Sequence, residues 1–244
     1  SVWLKARQTG SSTLAAGITS WRTMLRPNTS AIVIADEAER AKGLFEIARG
    51  FYDQLDDDIR PVGRYITKRE LVFANPSIAT RIADPGLRSR IVVESAHKKS
   101  IAIGANWTIA FLSECARYPD PLFVLDGVIP AVHRVAGSFI MMESSAEMSG
   151  TWFRDFYDEA KRGRNGFEAT FVPFFLQPEY YTCLVCKRAG TECRDPQHKN
   201  KKLSLDLTGA ERHIMPEYNL DFGHLLWMRV VYWVCSLVSF SFWL

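Results

Sequence analysis

The stretch LKARQTGSSTLAAG, residues 4–17, has the outline of a phosphate-binding loop with two residues displaced. Such a loop follows G-x-x-x-x-G-K-[ST], in which backbone N–H groups cradle phosphates and a lysine reaches the terminal ones. Gly10 and Ser12 stand at the second-glycine and hydroxyl positions, whereas Lys5 occupies the first-glycine position and Ser11 the lysine position. A phosphate needs N–H donors at a helix start and a cation that can lie along its oxygens. Gly10 allows close backbone approach, Ser12 and Thr13 open a helix, and Ser12 is placed to bind Mg²⁺ through its hydroxyl. The cations at hand are Lys5, at the mouth of the loop, and Arg7. An ordinary hydroxyl-capped helix after a strand would carry the same small residues, so the flanking elements must decide.

They read as an alternating α/β chain. VWLK (2–5) is the end of a strand. From Ser11 to Arg26 the apolar residues Leu14, Ile18, Trp21, Met24 and Leu25 recur at helical spacing. SAIVIAD (30–36) is a short continuous apolar run, as a buried parallel strand requires. EAERAKGLFEIARGFYDQLDDD (37–58) is again helical, with Leu44, Ile47, Ala48, Phe51 and Leu55 on the repeating positions. Strand, loop, helix, strand and helix in that order begin a doubly wound sheet. RELVFAN (69–75), SRIVVESA (89–96), WTIAFLSE (107–114), GSFIMMESS (137–145) and ATFVPFF (169–175) supply further strands, the last with Pro173 favouring a sheet edge. SGTWFRDFYDEAKRGRNG (149–166) predicts an amphipathic helix stopped by Asn165-Gly166. The expected fold is α/β, a P-loop NTPase with a mostly parallel central sheet flanked by helices.

Bulk properties are those of ordinary globular material. Of 244 residues, 47% are hydrophobic and 23% charged, which argues against wholesale disorder. The formal charge of +3 permits a polyanionic partner without demanding one. Position 1 is Ser, no signal peptide follows, and residue 5 already lies in the loop, so the chain is expected to be a fragment cut short at its N-terminal side.

Two apolar runs end in carboxylates. Glu114 follows TIAFLS and Glu143 follows SFIMM, and in an open parallel sheet ligands sit at the carboxyl ends of strands. ATP hydrolysis needs a residue that orients or deprotonates the attacking water beside Mg²⁺. A solvated carboxylate where a strand meets a loop is a common alternative, but here two occur downstream of such a loop, each beside hydroxyl residues.

Taken together, LKARQTGSSTLAAG, AIVIADEAERAKGLFEIARGFYDQL, KRELVFANPS, TIAFLSECARYPD, ESSAEMSGTWFRDFYDEAKRGRNGFEATFVPFFLQPEYY and LTGAERHIMPEYNLDFGHLLWMR resemble the ATPase domain of the large terminase subunit of tailed double-stranded DNA bacteriophages. The resemblance spans most of 2–181 and 203–229. It implies a deviant Walker A loop whose lysine stands at the front. Lys5 fits that slot, Arg7 fits the arginine inside the loop, and Gln8, Gly10, Ser11, Ser12 and Thr13 complete the nucleotide-binding segment. FLSE matches the Walker B position, which makes Glu114 the catalytic carboxylate polarising the attacking water. ESSAEMSG resembles the motif that couples hydrolysis to movement, with Glu143, Ser144 and Ser145 sensing the γ-phosphate. The cofactors implied are ATP and Mg²⁺, the metal being held by Ser12 and Ser113. The implied partners are double-stranded DNA, a portal ring, a small terminase subunit and further copies of this chain in a ring. The implied location is the host cell cytoplasm, with transient attachment at the procapsid portal.

The chain departs from the pattern at one telling place. A standard Walker B ends in Asp-Glu, and Ser113 stands where the Asp would hold Mg²⁺ through water. No arginine lies in SIAIGANW between Lys99 and Thr108. Arg88, Arg90 and Arg117 are the substitutes for one that neighbouring subunits would offer to the phosphates. The adenine-contacting segment expected before the loop and the nuclease domain expected after the ATPase domain are not among these residues.

Outside the resemblance, CLVCKRAGTECRDPQH places Cys183, Cys186, Cys193 and His198 at spacings that a tetrahedral zinc could use. Lys187, Arg188, Arg194, Lys199, Lys201 and Lys202 surround them, as in basic knuckles that touch nucleic acid. A reduced cysteine-containing surface loop is the simpler alternative. LLWMRVVYWVCSLVSFSFWL (225–244) carries one charge, Arg229, and is long enough for a membrane span. Foreign or truncated sequence after Arg229 is the preferred reading and a membrane anchor the lesser one. The expected organisation is an ATPase domain at 1–182, a zinc-knuckle insertion at 183–202, a helical end or linker at 203–229 and an apolar tail at 230–244.

The expected function is that of an ATP-driven motor subunit translocating double-stranded DNA into a procapsid. A helicase-like P-loop ATPase acting on nucleic acid, and a non-catalytic zinc-knuckle nucleic-acid-binding protein, are the alternatives. Strand separation on forked DNA would favour the former, and metal content with DNA binding but no ATP turnover the latter.

Overall fold

The computed structural model of the chain describes residues 1–99, 101, 105–145, 152–176, 185 and 207–225. The chain divides into two compact units, Ser1–Phe171 and Val172–Leu244. The first carries β1 (Val2–Lys5), α1 (Ser11–Leu25), β2 (Ser30–Ala35), α2 (Ala38–Asp53), β3 (Gly63–Ile66), β4 (Glu70–Phe73), β5 (Ser89–Ser95), β6 (Ile109–Ser113), α3 (Pro121–Ala131), β7 (Phe139–Ser145) and α4 (Trp152–Lys161). β8 (Ala169–Val172) ends at the division, and α5 (Gly209–Glu217) lies in the second unit.

The described strands form one sheet in the order β3-β4-β5-β2-β6-β7-β1-β8. Pairing is parallel for β5-β2, β2-β6, β6-β7 and β7-β1, and antiparallel for β3-β4 and β4-β5. The expected mostly parallel α/β architecture is therefore the observed one. Central strands are apolar on both faces, because each face is covered by helices. Along β2, Ala31, Val33 and Ala35 join the core beneath α1 and α2, while Ile32 and Ile34 join the core beneath α3 and α4. Pro173 follows β8, which is an edge strand, where a missing N–H costs no ladder bond.

Three details differ from the sequence reading. The period of α1 is as expected, but its face is not. The buried residues are Ser11, Ala15, Ala16, Thr19, Ser20, Thr23 and Met24, while Leu14 and Trp21 are 57% and 55% exposed. Small residues let the helix lie close against the sheet. The buried threonines satisfy their hydroxyls by donating to carbonyls one turn back, Thr19 to Ala15 and Thr23 to Thr19, each at 2.8 Å.

α4 stops at Lys161, before Asn165-Gly166. Gly163 takes a left-handed conformation (φ 71°), Gly163 N donates to Ala160 O at 2.9 Å, and Arg164 N donates to Glu159 O at 2.8 Å. This paired closure consumes the last carbonyls, so the first available glycine ends the helix.

β3 and α3 have no counterpart in the sequence reading. α3 is apolar on nearly every side and carries Gly127 and Pro130, which obscures its period. It is nevertheless capped, since Asp120 accepts a hydrogen bond from Phe123 N at 3.0 Å and Pro121 opens the first turn.

In the second unit, Thr208 and Glu211 form a reciprocal capping box at the start of α5. Phe175 stacks at a tilt on Tyr218 with centroids 5.5 Å apart. The four residues proposed to bind zinc, Cys183, Cys186, Cys193 and His198, lie outside the described residues, as does the tail after Leu225. Among the described residues no cluster of three or more His, Cys, Asp or Glu side chains is placed to hold a metal ion, and no helix is long and apolar enough to cross a membrane.

Candidate active site

β1, β7 and β6 are neighbours and parallel, so their carboxyl ends open on one edge of the sheet. In register, Lys5 pairs with Ser145 and Ser113 with Glu143. Three strands thus deliver a lysine, two carboxylates and three serines to one place, and the first turn of α1 adds a fourth serine, Ser12.

Lys5 is the hub. It is 6% exposed, and its Nζ donates to Glu114 Oε1 at 2.9 Å and lies 3.3 Å from Glu143 Oε2. The second contact is an ion pair without hydrogen-bond alignment, which leaves Glu143 Oε2 buried and with no hydrogen-bond partner. Glu143, fully buried, accepts from Ser12 Oγ and Ser113 Oγ on the same oxygen, Oε1, each at 2.7 Å. Glu114 Oε2 accepts from Ser145 Oγ at 3.2 Å, and more distantly from Ser145 N and Ser144 Oγ, both at 3.4 Å.

The backbone aims these groups. Glu114 sits at the tip of β6 in the left-handed region (φ 54°, ψ 44°), and a short 3₁₀ turn, Cys115–Arg117, follows. That turn reverses the chain after β6 and swings the Glu114 side chain back over β7 towards Lys5. Gly10 is left-handed too (φ 74°), with open space where a Cβ would stand, so it is the conformation that favours glycine there. Thr9, which sequence reasoning passed over, braces the loop. Its hydroxyl donates to Ala6 O at 3.2 Å and shares a hydrogen bond with Ser11 Oγ at 2.8 Å.

The electrostatics follow from one cation serving two buried acids. Burial alone would lower the pKa of Lys5; the charges of Glu143 and Glu114, with the hydrogen bond to Glu114, more than reverse this and hold it above the ordinary lysine value. For Glu114, burial pushes upward, but the charge of Lys5 and hydrogen bonds from Lys5 and Ser145 overcome it and keep the carboxyl below its usual range. For Glu143, burial wins over Lys5, Ser113 and Ser12, and its pKa stays raised. Two like carboxylates are therefore driven apart by their surroundings, the pattern of an acid/base site. Behind them, Cys115 donates to Leu112 O at 3.2 Å; burial pushes its thiol well above normal, which leaves it inert.

Of the sequence-derived candidates, Lys5, Ser12, Ser113, Glu114, Glu143, Ser144 and Ser145 converge. Ser11 turns to Thr9, while Arg7, Gln8 and Thr13 are exposed on the loop and the first turn of α1. Asp36, buried at the end of β2 and held by Arg40 Nε at 2.6 Å, is a further strand-end carboxylate that the sequence reading did not single out. Its signal was present in SAIVIAD, an apolar run ending in an acid like the other two.

At the level of sequence, neither the protein-family models nor the curated proteins yield a match. Solved structures do. The crystal structure of the HK97 bacteriophage large terminase aligns with 76% of this chain at 18% identity and a TM-score of 0.54. A mutant of the large terminase ATPase domain of Thermus phage P74-26 aligns with 71% at 18% identity and a TM-score of 0.52. The aligned region spans 36% of the HK97 protein and 74% of the P74-26 domain. The fold is thus that of the phage large-terminase ATPase domains, as the sequence resemblance implied.

Proposed function

We propose that this chain is an ATP hydrolase of the DNA-packaging motor type, a large terminase ATPase domain with Lys5 as its displaced Walker A lysine. The observation that carries the reading is the convergence of Lys5, Glu114 and Glu143 at the ends of three adjacent parallel strands. Around Lys5 the side chains of Ser12, Ser113, Glu114 and Glu143 offer oxygen atoms, and hard oxygen ligands are what Mg²⁺ takes. Ser12 and Ser113 would hold the ion, which would neutralise charge on the transferring phosphoryl group. Lys5, now bound between two carboxylates, exchanges Glu114 for phosphate oxygens when ATP enters. Glu114 is then free to orient and deprotonate water, and its backbone holds it on the open side of the cluster. Ser144 and Ser145, in contact with Glu114, report its position to β7.

The finer assignments belong to the same proposal. They are double-stranded DNA, a portal ring and a small terminase subunit as partners, a ring of copies as the assembly, and the host cytoplasm as the location. The division at 1–182, 183–202, 203–229 and 230–244, and zinc at Cys183, Cys186, Cys193 and His198, are proposals too; metal analysis of the purified chain tests the zinc.

The deciding experiment is ATP turnover by the full chain with and without double-stranded DNA, beside Glu114→Gln. We expect DNA-stimulated turnover, and a loss of about 10²–10⁴-fold in the variant, the share a positioned general base supplies. Turnover unchanged in Glu114→Gln would remove the assignment.

A further inference from the structure

Phosphoryl-transfer sites of the P-loop kind hold Mg²⁺ between the hydroxyl of the loop and an aspartate of the Walker B strand. In this chain the aspartate position is Ser113. A neutral hydroxyl cannot supply the anionic oxygen that such a site normally offers the ion. β6 and β7 run parallel with Ser113 paired to Glu143, so the next strand over brings a carboxylate to the same level of the sheet. Its Oε1 stands 2.7 Å from Ser12 Oγ and 2.7 Å from Ser113 Oγ, between the two hydroxyls that the ion would use. Its Oε2 is buried without a hydrogen bond.

We propose that Glu143 is the magnesium carboxylate of this site, replacing the missing Walker B aspartate from the neighbouring strand. The proposal rests on the ATPase reading and changes the role of Glu143 from sensing the γ-phosphate to holding the ion. Glu114 keeps the water, and the two acids divide the labour by the strand they end. The serine and the glutamate are complementary. A carboxylate at position 113 would face Glu143 Oε1 at the place where Ser113 Oγ now donates to it. Relocating the acid to β7 therefore requires a small hydrogen-bond donor on β6.

The test measures binding of a non-hydrolysable ATP analogue by calorimetry in EDTA and in Mg²⁺, with Mn²⁺ occupancy followed by electron paramagnetic resonance. The full chain is compared with Glu143→Gln, Ser113→Asp and the double variant. We expect Glu143→Gln to bind the analogue in EDTA at least as well as the parent and to lose roughly 10–100-fold in Mn²⁺ affinity, the scale for losing a group that supports a metal. The double variant should regain most of that loss, whereas Ser113→Asp alone should lower the melting temperature by crowding two acids. Parent-like Mn²⁺ affinity in Glu143→Gln overturns the proposal and leaves the ATPase reading standing. A parent that binds the analogue in neither condition overturns both. If Glu143→Gln lacks the parent's melting transition, Glu143→Asp decides, because it keeps the charge and withdraws the oxygen by one methylene; unchanged Mn²⁺ affinity there overturns the proposal.

Discussion

A single lysine neutralises two acids that have little access to water, and this has measurable consequences at the residue scale. Replacing Lys5 by Ala leaves buried carboxylates uncompensated, and breaking such a pair costs about 3–5 kcal/mol. Urea denaturation should read that loss at neutral pH, and part of it should return as acid protonates the carboxylates. The pH limbs are separable by sign. The raised pKa of Lys5 contributes stability that is complete below the ordinary lysine value and disappears as pH climbs through the folded-state value. The lowered pKa of Glu114 contributes stability above the ordinary carboxylate value, lost as pH falls through its folded-state value. Glu143 acts the other way. Its raised pKa costs stability wherever it is ionised, so Glu143→Gln should melt higher than the parent near neutrality, by a margin that shrinks as pH falls into the ordinary carboxylate range. The Gln amide can donate to the two serines while its oxygen accepts from Lys5, so no contact need be lost. A margin that grows on acidification would contradict the assignment of the raised carboxyl. Much of this site was legible in the sequence, since each acid closes an apolar run and Lys5 precedes a recognisable loop. What could not be read was the left-handed turn at Glu114 that folds its carboxylate back onto Lys5, because nothing in FLSECAR announces a positive φ.

At the scale of elements, α1 shows why periodicity and orientation are different kinds of information. Leu14, Trp21 and Leu25 mark a helix correctly, yet they face outward, and Ala15, Ala16, Thr19 and Thr23 face the sheet. Hydropathy ranks the larger side chains first; close approach of helix to strand selects the smaller. The inversion predicts opposite responses to substitution. Leu14→Lys should change unfolding free energy by no more than about 0.5 kcal/mol, as exposed positions do. Ala15→Leu, at a fully buried position, should cost about 1–3 kcal/mol through overpacking. Guanidinium titrations of the two variants decide it, and equal effects would mean the helix is rotated from the orientation described. α3 failed to show in the sequence for a related reason: a helix apolar on nearly all sides has no contrasting face for a period to reveal.

For the whole molecule, the sheet order ranks the strands by protection. β2 and β6 are buried along most of their length and sit mid-sheet, while β3 is an edge strand with mostly exposed side chains. Hydrogen exchange should therefore be slowest at Ile32–Ile34 and Ala110–Leu112, where opening requires global unfolding, and fastest at Arg64–Ile66. The same order has a consequence in time. β1, which ends in the hub lysine, does not pair with β2 but with β7, and the amino group of Ser1 donates to Ile140 O across 139 residues of chain. At ribosomal rates of roughly 5–20 residues per second, β1 emerges roughly 7–28 seconds before its partner exists. The helices and strands between must be synthesised while Lys5 waits unpaired, so this side of the sheet closes late, with only β8 still to be added beyond β1. A nascent chain arrested before β7 should lack the cluster of Lys5, Glu114 and Glu143 however well its β2 and α2 have formed, because the first strand made waits for one of the last.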